Sequence, residues 1–124
     1  MILYLAGPMS GLPQFNFPGF DKAAEQLRGF GYEVINPAAE DSDEVRALAL
    51  ASVAGTMGDL DGRLSMKETV IRNTEGVMSA AGLALLPSWT ISTGAKHEVA
   101  VADRVGIPRN TVRWWINEAK RATL

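Results

Sequence analysis

The chain has no cysteine in its 124 residues and a single histidine, His97. Without cysteine there is no disulfide framework and no thiolate zinc site, and one histidine is too few for an imidazole-based centre, so a metal site is not expected, and nothing in the sequence calls for a cofactor. Long apolar runs are missing as well. The opening run, residues 2–6 (Ile-Leu-Tyr-Leu-Ala), has no basic leader and is far too short to span a bilayer, which points to a cytoplasmic protein with no membrane partner. What remains is ordinary globular material: 47% hydrophobic and 21% charged residues, enough for one domain with a real core. Charge is placed unevenly. Residues 1–95 hold 6 Lys+Arg against 11 Asp+Glu (−5), and residues 96–124 hold 6 against 3 (+3).

Read in order, residues 2–6 form a first strand, and the glycines and prolines of residues 7–13 form a loop. Asn16 caps a helix with Pro18 in its first turn and Phe20, Ala23, Ala24 and Leu27 at helical spacing, ended by Gly29 and Gly31. Residues 32–35 make a second strand, stopped by Asn36-Pro37, so residues 2–37 are one β-α-β unit with parallel strands. Residues 41–44 cap a helix through Val45, Leu48 and Val53, residues 55–62 read as a mobile loop, and Ser65 to Glu68 open a further helix running to about Met78.

The stretch 83–109 organises the rest. Leu83-Ala84-Leu85-Leu86 is uniformly apolar and stopped by Pro87, as in a strand buried on both faces of a parallel sheet. Ser88, Ser92, Thr93 and Gly94 supply hydroxyls and a flexible backbone at the start of the next helix, where unpaired N–H groups face the loop. Glu98 is placed in that helix's first turn, held ionised by the helix dipole, at the sheet edge where open α/β folds bind ligands. Gly106 ends the helix, and residues 110–122 form a last one in which Trp114 and Trp115 cannot both face inward. The fold expected is a three-layer α/β domain over residues 1–124, with a parallel sheet of about four or five strands and residues 109–124 as a helical extension.

Three pieces together, Tyr4-Leu5-Ala6-Gly7-Pro8-Met9, Asn16-Phe17-Pro18 with Asn36-Pro37, and Trp89-Thr90-Ile91-Ser92-Thr93-Gly94-Ala95-Lys96-His97-Glu98, resemble the nucleoside 2-deoxyribosyltransferase superfamily. Within it they are closest to the small, phage-encoded DUF4406 group. The resemblance covers roughly residues 2–108 and implies a flavodoxin- or Rossmann-like sheet. It also implies a carboxylate nucleophile, matched by Glu98, that attacks the anomeric carbon and forms a covalent glycosyl-enzyme. Tyr4 and Gly7 then belong to the loop over the sugar, and Trp89 stacks on the base. Ser92, which stands where serine marks the branch acting on nucleoside 5′-monophosphates, holds the phosphate with Ser10 and the backbone at Gly94. Asn73 stands where the superfamily has an aspartate and orients the substrate without exchanging a proton; a second usual aspartate is replaced by Ala81. The implied assembly is a homodimer or larger, using aromatic surface from residues 109–124. The implied location is the cytoplasm of a bacterial host.

Two other readings stand beside this one. The first is a nucleotide-binding protein that has lost catalysis. The second is a DNA-binding protein: residues 98–120 resemble a helix-turn-helix, with Gly106 in the turn and Arg109, Asn110, Thr111 and Arg113 facing the major groove. The local charge of +3 favours nucleic acid, and the negative whole chain disfavours it.

Overall fold

The computed structural model describes residues 1–123. Its first strand, β1 (Ile2–Ala6), lies inside a sheet and is buried on both faces, so its side chains alternate between two cores. Leu3 and Leu5 enter one cluster, Tyr4 and Ala6 the other. Against the first cluster packs α1 (Phe17–Gly29), which contributes the predicted stripe of Phe20, Ala23, Ala24 and Leu27. Next come β2 (Glu33–Ile35), α2 (Asp43–Ala51) and α3 (Met66–Ser79). Both helices are capped by serine, Ser42 accepting from the Val45 N–H and Ser65 from the Glu68 N–H, each at 3.2 Å.

The buried run becomes β3 (Gly82–Leu85), all four residues inaccessible, followed by α4 (Thr93–Val105), β4 (Arg109–Thr111) and α5 (Val112–Ala122). The strand order is β2-β1-β3-β4 and every pairing is parallel, with Tyr4 beside Leu83 and Leu85 beside Thr111. Val77 of α3 and Ala95, Val99 and Ala102 of α4 join the core on the Tyr4 face, while α1 and Trp115 of α5 share the opposite core. This is a three-layer α/β fold with, among the described residues, four strands and five α-helices. Its strand order reverses between β1 and β3, which places a crevice outside their carboxyl ends. Among the described residues no helix is long and apolar enough to cross a membrane.

Several expectations are corrected. The segment expected as a helical extension supplies the sheet's fourth strand: residues 109–111 pair with β3, and only then does α5 begin. Trp115 anchors that helix, its indole N–H donating to the Leu83 carbonyl at 2.9 Å, while Trp114 stays exposed and meets it edge-to-face. The helix-turn-helix over residues 98–120 is therefore not formed. Arg109, Asn110 and Thr111 lie in or beside a strand, and Arg109 is paired with Asp103 of α4 at 2.9 Å. The second helix stops at Ala51, and Val53 is exposed beyond it. The loop expected at residues 55–62 contains a 3₁₀ turn, Met57–Leu60, that buries Leu60 in the main core. Asn16 caps nothing through its side chain: it sits in the left-handed region (φ 58°) and donates to the Pro8 carbonyl at 3.0 Å.

Candidate functional site

At the crevice lies a cleft of about 950 Å³. The loop after β1 forms one rim, α4's first turns another, and α2, the 3₁₀ turn and α3 the far wall. Its near rim depends on Gly7, because a Cβ there would stand 2.6 Å from Leu86 Cβ. Further along, Gln14, Phe15 and Asn16 hold three consecutive left-handed conformations, with φ between 52° and 58°. For Gln14 and Phe15 this costs about 1–2 kcal/mol each, and less for Asn16. Offsetting that, Phe15 is buried in the cleft's apolar wall, the Gln14 N–H donates to the Ser52 carbonyl at 2.8 Å, and its side-chain amide donates to the Leu50 carbonyl at 2.9 Å.

Glu98 lines this cleft but is only 6% exposed. Six residues into α4 it occupies the second turn, not the first, so the helix dipole acts on it weakly. The expectation of a firmly ionised carboxylate is corrected accordingly. Burial pushes the Glu98 carboxyl up to about 7, and the one opposing influence is a hydrogen bond from the Tyr4 hydroxyl, which donates to Oε2 at 2.7 Å. Tyr4 is itself buried and does not line the cleft; it reaches Glu98 from the sheet beneath. Its phenol is pushed well above the usual range, by burial first and by the Glu98 charge next, so it remains a proton donor across the accessible pH range. The ring fits only because α3 carries Gly76, where a Cβ would meet Tyr4 Cε2 at 2.8 Å.

This pairing gives a direct expectation. Tyr4→Phe removes the contact that favours the charged form, so the Glu98 carboxyl should titrate above about 7. Folding stability should fall by about 1–3 kcal/mol at pH 8, where an ionised carboxylate loses its buried partner, and by less at pH 5. Urea unfolding at the two pH values measures this; equal losses would mean that the hydroxyl does not serve the carboxylate.

Of the other residues singled out from sequence, Gly7, Ser10, Asn73, Ser92 and Gly94 also line the cleft. The Ser92 hydroxyl accepts from the Ala95 N–H at 3.1 Å, leaving its own proton to donate inward. Ser10 is exposed on the rim with its hydroxyl 3.8 Å from the Met57 sulfur. The Asn73 oxygen takes a long contact from Arg72 Nε at 3.4 Å. Trp89 is not part of the cleft: it packs beside the core on the α4 side, and the Arg109 guanidinium lies 5.7 Å from its ring centre. Base stacking on Trp89 is therefore corrected, since the indole lies outside the cleft lining.

Three charged or titratable cleft residues escaped sequence reading. Arg72 is the one Lys or Arg in the described lining, and it is held by Asp41 at 2.9 Å and Glu40 at 3.4 Å. Asp41 lines the cleft with it. His97 is exposed and also lines the cleft, its Nε2 3.0 Å from Thr74 Oγ1 on α3. The only sequence signal for these was position, Arg72 beside Asn73 and His97 beside Glu98. Among the described residues no three His, Cys, Asp or Glu side chains gather as a metal site would require.

Comparison with known proteins adds a family without an activity. The family model for "Domain of unknown function (DUF4406)" matches residues 1–109, which takes in all of β1 to α4 and every cleft residue. No curated protein and no solved structure matches the chain.

Proposed function

The chain belongs to the DUF4406 family, and from that premise and the cleft we propose that it breaks or exchanges the N-glycosidic bond of a (deoxy)nucleoside 5′-monophosphate, as a relative of the nucleoside 2-deoxyribosyltransferases. The observation that carries this is the buried Tyr4–Glu98 pair at 2.7 Å, with its carboxyl opening into a cleft at the carboxyl edge of the sheet. A nucleophilic carboxylate must be ionised yet weakly solvated. A carboxyl raised to about 7 by burial, with one hydrogen bond steadying its anion, meets both needs near neutral pH.

The chemistry runs in two displacements. Glu98 attacks the anomeric carbon, the C–N bond breaks with its electron pair leaving on the base, and the sugar is held as an ester of Glu98. Water or a second base then attacks the same carbon and returns Glu98 as carboxylate. Support for a 5′-phosphate comes from donors without charge. The Thr93 and Gly94 N–H groups open α4 with no intrahelical partner beside the Ser92 hydroxyl, and the Ser10 hydroxyl stands on the rim formed by the loop after β1. Asn73 is an orienting amide on the opposite wall.

A panel of nucleosides and their 5′-monophosphates, followed for free base by chromatography, tests the reading. Base release is expected from monophosphates at well over ten times the rate from the matching nucleosides. Faster release from the nucleosides would remove the phosphate contacts, and no release from any would reject the reading. A catalytically silent nucleotide binder is the second reading, favoured by the amide at Asn73, and it is identified by binding without release.

A further inference from the structure

A base that leaves with the electron pair of its glycosidic bond is a poor leaving group until it takes up a proton. Within the N-glycosidase reading just given, we propose that His97 supplies that proton. The described cleft lining holds four charged or titratable side chains, Asp41, Arg72, His97 and Glu98. Glu98 is committed to the anomeric carbon. Arg72 does not give up a proton in a protein, and Asp41 is bound to that guanidinium at 2.9 Å as its counter-ion. The amide of Asn73 and the hydroxyls of Ser10 and Ser92 do not exchange protons at useful rates near neutrality. Histidine is the side chain suited to doing so.

Its position meets the geometric demand. Attack and departure occur on opposite faces of the anomeric carbon, so nucleophile and acid must approach from different directions. Successive residues on a helix diverge by about 100°, and both Glu98 and His97 line the cleft, so they enter it from different directions. The ring is also held: Thr74 Oγ1 on α3 lies 3.0 Å from Nε2, which leaves Nδ1 as the nitrogen that exchanges protons with substrate. In the first displacement the imidazolium passes its Nδ1 proton to a ring nitrogen of the base, which departs neutral. In the second, Nδ1 takes a proton from the attacking water as the Glu98 ester bond breaks, restoring both side chains.

The test compares two leaving groups in the intact protein. One is the nucleoside 5′-monophosphate that wild type cleaves fastest; the other is the same nucleotide methylated on a ring nitrogen of its base, which departs uncharged with no added proton. His97→Gln is expected to slow release from the unmethylated nucleotide about 100-fold and from the methylated one less than about 3-fold, a contrast that a purely structural role would not produce. Because His97 is exposed, the variant keeps the fold. Equal losses on both substrates, or no loss on either, would overturn the role of His97 while leaving Glu98 chemistry standing. Failure of wild type on both nucleotides would overturn the two together.

Discussion

Glu98→Gln is expected to lower base release by at least about a thousandfold while the protein stays folded. Glutamine keeps the shape and can still accept the Tyr4 hydroxyl through its amide oxygen, so the 2.7 Å contact survives. What it loses is the capacity to form a glycosyl ester. On the nucleotide methylated on its base, whose departure needs no acid, the wild-type rate should climb as pH rises through about 7, because the buried carboxyl must ionise before it attacks. Initial rates across pH 5 to 9 for both proteins measure this directly. A glutamine variant within tenfold of wild type would take Glu98 out of the reaction.

The same burial should appear in folding stability, with no substrate present. An unfolded chain releases the Glu98 proton near 4.5, whereas the folded protein keeps it up to about 7. Between those values the folded state binds more protons than the unfolded one, so stability present below pH 4.5 is lost as pH rises towards 7. A separation of that size corresponds to about 3 kcal/mol. Urea denaturation at pH 4.5, 6 and 7.5 should show wild type losing this amount relative to Glu98→Gln, whose buried amide does not titrate. Parallel curves for the two proteins would mean that the carboxyl is not desolvated in the folded state, and the argument for a poised nucleophile would fall with it.

The parts of the structure that were legible in sequence are those in which local pattern and tertiary role agree. The β1 run, the apolar spacing of α1 and the uniformly apolar β3 each carry a period that only one packing satisfies, and they set the parallel order on which the cleft depends. β4 was hidden because Arg109, Asn110 and Thr111 show no apolar alternation. As an edge strand it needs only backbone pairing to β3, and the run of residues after it does read as a helix. Glu98 was found through its motif, but its turn of the helix was misjudged. Its chemical state then depended on Tyr4, 94 residues away, which no local rule connects to it. Trp89 resembles a ligand platform in sequence, but it packs against the core on the α4 side, outside the cleft, with Arg109 of β4 beside its ring. The far wall of the cleft was the least legible part. Met57 and Leu60 sit in a segment rich in Gly and Asp, and Arg72, Asp41 and His97 meet the cleft only once α2, α3 and α4 are assembled.

Intact-protein mass spectrometry after reaction with a 2-fluoro-substituted nucleoside 5′-monophosphate, whose glycosyl-enzyme hydrolyses slowly, bears most directly on the covalent mechanism. The expected result is a mass increase of one sugar phosphate, located by proteolysis to the peptide containing Glu98 and missing in Glu98→Gln. Steady release of base with no adduct, or an adduct on any other side chain, would contradict it.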